Sequence, residues 1–172
     1  MNKAIFLDRD GTINVDYGYV HEIEKFEFID GVIEGLKILS DLGYLLIVIT
    51  NQSGIARGFF TEEQFQTLNN YMLNKLEENN ISIAKVYYCK HVDKDNCDCR
   101  KPKLGLFYKA IEEFDIDIDN SYAIGDKERD LLICKQENTQ GILLTKTTQD
   151  GYICKSSLLE AAYYIQGNDR NV

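Results

Sequence analysis

Five short apolar runs punctuate the chain: Lys3–Leu7, Tyr44–Ile49, Ile83–Cys89, Tyr122–Ile124 and Gly141–Leu144. Each has the length and the branched or aromatic richness of a buried strand. Between them apolar residues recur at three- and four-residue spacing. Val32, Leu36 and Leu39 form one stripe, with Gly43 as its C-terminal stop. Phe65, Leu68, Met72 and Leu76 form a second, opened by the capping box Thr61-Glu62-Glu63-Gln64. Phe107, Ile111 and Phe114 make a third, and Leu158, Ala162 and Ile165 a shorter fourth. Continuous apolar strands alternating with helices predict an α/β fold with a parallel sheet covered on both faces. Ligands of such sheets bind beyond the carboxyl ends of the strands, where strand order reverses. Chemistry is therefore sought in the residues that follow each strand.

The chain has 172 residues, with 19 Lys and Arg against 28 Asp and Glu, a net charge of −9. That length suits one domain, residues 1–172, and no repeat or Pro/Gly/Ser linker divides it. A net negative protein repels nucleic acid and anionic membrane, so neither is expected as a partner. Only Ala4 to Leu7 are apolar before Asp8-Arg9-Asp10, too short a run for a secretory leader, and no run approaches a membrane span. The expectation is a cytoplasmic monomer whose five cysteines act as ligands or buried thiols.

The first run leads into Asp8-Arg9-Asp10-Gly11-Thr12. In extended backbone, residues two apart share a face, so both carboxylates can point at one ligand. Held together alone they repel, and Mg²⁺, which favours carboxylate and water ligands, relieves this. A solvated acidic turn is the plain alternative. The second run ends in Thr50-Asn51-Gln52-Ser53-Gly54, which reads as a phosphate cradle of hydroxyl and backbone N–H groups or as an ordinary turn. After the fourth comes Gly125-Asp126-Lys127-Glu128-Arg129-Asp130, again with two carboxylates, where Asp126 could equally serve as a helix N-cap. Arg100-Lys101-Pro102-Lys103 concentrates positive charge in an acidic chain and suits a phosphate. Cys89, His91, Cys97 and Cys99 read C-x-H-x5-C-x-C, a donor set that fits a closed, structural Zn²⁺ site stiffening the loop that delivers Arg100 and Lys101. Cys134 is expected to be a buried small hydrophobe, and His21 to be structural or peripheral.

In this order the motifs resemble the haloacid dehalogenase (HAD) superfamily of aspartate-nucleophile phosphatases, from residue 3 to about residue 145. The resemblance implies a Rossmann-like, HAD-like fold. With no room for a cap domain, the site is expected to be capless and covered by the loops Val15–Asp30, Gly54–Phe60 and the zinc loop. It implies Asp8 as nucleophile, forming an aspartyl-phosphate, and Asp10 as general acid and then base. Thr50 and Lys101 would hold the phosphoryl oxygens. Asp8, the backbone carbonyl of Asp10, and Asp126 would bind Mg²⁺, with Lys127 and Asp130 behind them and Asp130 orienting Lys101 or metal-bound water.

Asp8 to Asn14, Asp16-Tyr17-Gly18-Tyr19-Val20, Thr50 to Gly58 and Cys97 to Pro102 are similar to the D,D-heptose 1,7-bisphosphate phosphatase family. This likeness implies removal of the 7-phosphate during ADP- or GDP-heptose synthesis for lipopolysaccharide or related glycans. It places Asp16, Tyr17, Gly18, Tyr19, Thr50, Asn51, Gln52, Ser53, Arg57, Arg100 and Lys101 at the phosphorylated sugar, with Arg100 reading the phosphate that stays. The short zinc loop, with Lys90 where a proline is usual, instead resembles the histidinol-phosphate phosphatase branch. Two matching substrate loops outweigh one loop length. A non-catalytic zinc-stabilised binding module would leave the acidic strand ends unexplained.

Overall fold

The computed structural model describes residues 1–169. The apolar runs become β1 (Ala4–Leu7), β2 (Leu45–Asn51), β3 (Ile83–Cys89), β4 (Tyr122–Gly125) and β5 (Gln140–Leu144), joined by β6 (Ile153–Lys155). They form one sheet in the order β3-β2-β1-β4-β5-β6, every neighbouring pair parallel. Among the described residues four helices connect strands, α1 (Val32–Asp41), α2 (Glu62–Glu77), α3 (Gly105–Phe114) and α4 (Ile133–Gln136), and α5 (Leu158–Asp169) follows β6.

Alternation within the strands divides the core in two. Ile5 and Leu7 face one layer, where the stripes of α1, α2 and α5 pack. Ala4 and Phe6 face the other, against α3 and α4, and the rings of Phe6 and Phe107 meet edge to face at 5.4 Å. The capping box at the start of α2 is present in both directions, Gln64 N to Thr61 Oγ1 at 3.1 Å and Thr61 N to Gln64 Oε1 at 2.8 Å. Gly43, at φ +84°, ends α1 in the left-handed conformation that a side chain disfavours.

Two elements were not anticipated. Strand β6 has three residues, all only half-buried, so it carries no continuous apolar signal; α4 spans four residues, too few for a stripe. The consequence of the strand order lies at β1. The chain builds outward through β2 and β3, then returns to the opposite side of β1 with β4, so β1 is the switch point. Leu7 is in register with Val48 of β2 and with Ile124 of β4. The carboxyl ends of three adjacent strands therefore emerge side by side, carrying Asp8, Thr50 and Asn51, and Asp126. Among the described residues no helix is long and apolar enough to cross a membrane.

Candidate active site

Lys101 lies beneath the site, 2% exposed, with three acceptors for its three N–H donors. Its Nζ donates to Asp8 Oδ1 at 3.0 Å, to Asp130 Oδ1 at 2.7 Å and to the Ile49 carbonyl at 2.6 Å. Burial alone would pull the lysine pKa down, but the two carboxylates outweigh it and hold the ammonium charged. The lysine is delivered by its backbone: the Asn51 amide donates to the Lys101 carbonyl at 3.0 Å and accepts from the Lys101 N–H at 2.9 Å. Asp130 completes the brace, its Oδ2 accepting from Lys127 N at 3.1 Å. A side chain at Gly125 would place a Cβ 2.3 Å from Asp130 Cβ, so only glycine lets the loop close this tightly.

The carboxylate of Asp10 is turned to a different set of partners. Oδ1 accepts from the Arg9 guanidinium at 2.9 Å and from Asn14 Nδ2 at 3.0 Å, while Oδ2 accepts from Gln52 Nε2 at 3.0 Å. The same Gln52 nitrogen reaches Thr50 Oγ1 at 3.0 Å, tying the ends of β1 and β2 together. Arg9, 1% exposed, also donates to the Val20 carbonyl at 2.9 Å and so anchors the loop that follows.

Asp8, Asp126 and Asp130 each offer an oxygen within 4.8 Å of the others. Burial, with the charges of Asp130 and Asp10 adding to it, raises the Asp8 carboxyl above its usual range although Lys101 opposes the shift. Burial and then the Asp8 charge raise Asp126. Asp126 Oδ1 is buried with no hydrogen-bond partner among the described residues. Three carboxylates against one buried lysine leave a net negative centre with an orphaned oxygen, which fits a hard divalent cation. Gly11, at φ +83°, backs this carboxylate; a Cβ there would lie 2.3 Å from Asp126 Oδ2. The N-cap alternative for Asp126 does not hold, because Lys127 occupies the cap position of the short 3-10 turn Glu128–Leu131.

Cys89, His91, Cys97 and Cys99 also converge, with ligand atoms within 4.8 Å of one another. Cys89 Sγ lies 3.5 Å from His91 Nδ1, 3.6 Å from Cys97 Sγ and 2.9 Å from Cys99 Sγ. Zinc bonds of about 2.3 Å to sulfur and about 2.0 Å to nitrogen give tetrahedral edges of roughly 3.4–3.8 Å. The Cys89–His91 and Cys89–Cys97 separations lie in that range, while Cys99 Sγ, 2.9 Å from Cys89 Sγ and 3.2 Å from His91 Nδ1, would have to move outward to complete the tetrahedron. Against burial, which pushes it up, the backbone N–H groups of Arg100 and Cys99 pull the Cys97 thiol down to about 6. Burial pushes the Cys89 and Cys99 thiols up, so a metal would displace protons from those two.

Above these groups opens a cavity of about 310 Å³. Asp8, Asp10, Asp16, Gly18, Tyr19, Asn51, Gln52, Ser53, Arg57, Arg100 and Lys127 all line it, together with Gly54 and Arg129. The two flanking loops are interlocked through aromatic contacts, Tyr19 with Phe59 at 4.7 Å and His21 stacked on Phe60 at 5.0 Å. Thr50 and Lys101 lie under the cavity rather than on its wall. Tyr17 is not brought to it: the side chain is exposed and its hydroxyl is bonded to Glu27. Cys134 packs half-buried against the second core layer, and burial raises its thiol to about 12.

Residues 3–148 match the family model described as polynucleotide kinase 3 phosphatase. Over 171 residues the chain is 47% identical to the D-glycero-beta-D-manno-heptose-1,7-bisphosphate 7-phosphatase of Pasteurella multocida (strain Pm70), covering 94% of this chain and 93% of that protein. The chain belongs to the heptose-1,7-bisphosphate phosphatase family. The namesake from Haemophilus influenzae is 54% identical over 137 residues, 76% of this chain and 74% of its own. A crystal structure of D,D-heptose 1,7-bisphosphate phosphatase from B. bronchiseptica, complexed with magnesium and phosphate, aligns with a TM-score of 0.88 at 25% identity, over 96% of this chain and 99% of that one. As a member of the heptose-1,7-bisphosphate phosphatase family, the protein is a phosphoric monoester hydrolase of HAD-like fold.

Two features of this family member escaped the sequence reading. Asn51, expected as a substrate contact, does line the cavity, but its side-chain amide also clasps the Lys101 peptide, a role the sequence did not announce. Arg129 sits inside a charged run, and nothing in the sequence says that its side chain, unlike that of Glu128, reaches the cavity.

Proposed function

We propose that the enzyme removes the 7-phosphate of D-glycero-β-D-manno-heptose 1,7-bisphosphate and leaves the 1-phosphate in place. The 47% identity over 94% of the chain to a relative named for that activity carries this reading. It agrees with a cavity that has acidic groups at its base and arginines on its wall.

In this reading an Asp8 oxygen attacks phosphorus, the bond from phosphorus to the C7 oxygen breaks, and Asp10 gives its proton to the departing alkoxide. In the second half Asp10 takes a proton from water as that water attacks the aspartyl-phosphate, and Asp8 is released. Thr50 Oγ1 and Lys101 Nζ hold the phosphoryl oxygens, and Lys101 exchanges part of its contact with Asp8 for them. Asp130 and Asn51 keep Lys101 in position through the exchange. Asp8, the Asp10 backbone carbonyl and Asp126 would hold Mg²⁺, which would supply charge neutralisation between the Asp8 carboxylate and a phosphate dianion. Cys89, His91, Cys97 and Cys99 would hold Zn²⁺, which would stiffen the loop that presents Arg100 to the retained phosphate. A single unit, residues 1–172, suffices for this chemistry.

The test compares kcat/KM for the β and α bisphosphates and for histidinol phosphate, with ³¹P NMR of the products. The β bisphosphate is expected to lead and to yield heptose 1-phosphate. A lead for histidinol phosphate, supported only by the short zinc loop, would overturn the assignment.

A further inference from the structure

Four cations line the cavity, and their partners differ. Lys127 Nζ is 3.3 Å from Asp126 Oδ2 and 3.8 Å from Asp16 Oδ2. Arg100 Nε is paired with Asp93 Oδ1 at 2.6 Å, and its Nη1 reaches the His91 carbonyl at 3.5 Å. Arg57 Nε rests on the Ser53 hydroxyl at 3.4 Å. Arg129 alone among these four makes no side-chain hydrogen bond or ion pair with the described residues, and its Nε is buried without a partner. Leaving a buried guanidinium N–H unpaired is costly, and a site that is to receive an anion is where such a cost is repaid on binding.

The position of Arg129 is also fixed. It lies in the 3-10 turn Glu128–Leu131, between Lys127, whose N–H is held by Asp130, and Asp130 itself. Arg129 shares with Arg100 the wall of one cavity. The cleaved phosphoryl group is to be held from below by Thr50 and Lys101, which do not line the cavity, so a guanidinium on the wall beside Arg100 is left for the other phosphate. Arg100 offers a phosphate dianion less than its full fork, because its Nε is paired with Asp93. A phosphate has three terminal oxygens, and a second planar fork supplies the donors that Arg100 lacks.

We infer that Arg129 is a specificity-determining residue that grips, with Arg100, the phosphate that is not cleaved. The inference rests on the bisphosphate reading above. It assigns to the loop between Asp126 and Asp130 a second task, discrimination between bisphosphate and monophosphate substrates.

The test uses the full-length enzyme with Mg²⁺ and two substrates, heptose 1,7-bisphosphate and heptose 7-phosphate. For Arg129→Ala, kcat/KM for the bisphosphate is expected to fall about 10- to 100-fold, mostly through KM, as loss of hydrogen bonds to a charged group implies. The value for the monophosphate should change less than about threefold, and Arg129→Lys should recover part of the loss because charge is kept while the fork is lost. Unchanged thermal melting would accompany both variants if they fold normally. Equal losses on both substrates, or none on either, would overturn the Arg129 assignment while leaving the bisphosphate reading intact. If the unaltered enzyme shows no preference for the bisphosphate, the substrate reading fails and the Arg129 assignment falls with it.

Discussion

The side chain of Asn51 and the peptide of Lys101 form a closed two-bond ring, 3.0 Å one way and 2.9 Å the other, across 50 residues of sequence. The end of β2 thereby sets where the lysine enters the site. Asn51→Ala should cost about 1–3 kcal/mol of stability, since it leaves a partly buried peptide without its partners. It should also lower kcat on the order of 10²-fold with a smaller change in KM, as misplacement of an aligned group does. Steady-state kinetics and urea unfolding check both; a change confined to KM would make Asn51 a substrate ligand instead.

Lys101 sits buried between Asp8 and Asp130 and offsets one of their two charges. Lys101→Met should abolish turnover and destabilise the fold by about 3–5 kcal/mol, the usual cost of leaving one side of a buried ion pair uncompensated. Urea denaturation provides the measurement. A loss below about 1 kcal/mol, the worth of an exposed pair, would show that the triad is not buried in solution.

Asp126 gives a pH dependence whose sign is fixed. Its folded-state pKa is raised from 3.8, first by burial and next by Asp8, so the folded metal-free protein binds that proton more tightly than the unfolded chain does. The stability this confers is complete below the unfolded value and is lost as pH rises through the folded one. Metal-free Asp126→Asn should therefore melt higher than the unaltered protein at neutral pH, with the gap closing toward pH 4 or so. Mg²⁺ should raise the melting temperature of the unaltered protein at neutral pH, lose that effect on acidification because protons compete, and leave Asp126→Asn unmoved. An undiminished Mg²⁺ response in the variant would remove Asp126 from the metal site.

Most of the architecture was legible in the chain. Strand β3 falls where its apolar run places it, and the capping box opens α2 as written, because buried strands and amphipathic helices imprint their periods on the residues they bury. The convergence of Asp8 and Asp126 was legible too, since topology sends the ends of β1 and β4 to one edge, whereas Lys101, in the loop after β3, was placed there only by the family resemblance. Side-chain direction was not. Tyr17 and Tyr19 are two residues apart in one loop, yet only Tyr19 reaches the cavity, at a left-handed backbone angle of φ 51° that no composition rule announces.

The zinc reading makes a separable claim. Protein purified without chelator should hold about one zinc per chain, and Cys99→Ser should lose it and melt lower. Because the loop also carries Asp93 and Arg100, loss of zinc should reduce turnover of the bisphosphate far more than that of p-nitrophenyl phosphate. Metal analysis beside the two assays decides it; full retention of bisphosphate activity without zinc would separate the loop from substrate recognition.

The nucleophilic role of Asp8 is tested most directly by trapping the covalent species. Enzyme mixed with bisphosphate carrying ³²P at C7, quenched in acid within the first turnover and digested, should yield one labelled peptide with the phosphoryl group on Asp8, absent in Asp8→Asn. Full product release with no labelled peptide, or a label on any other side chain, would contradict the account.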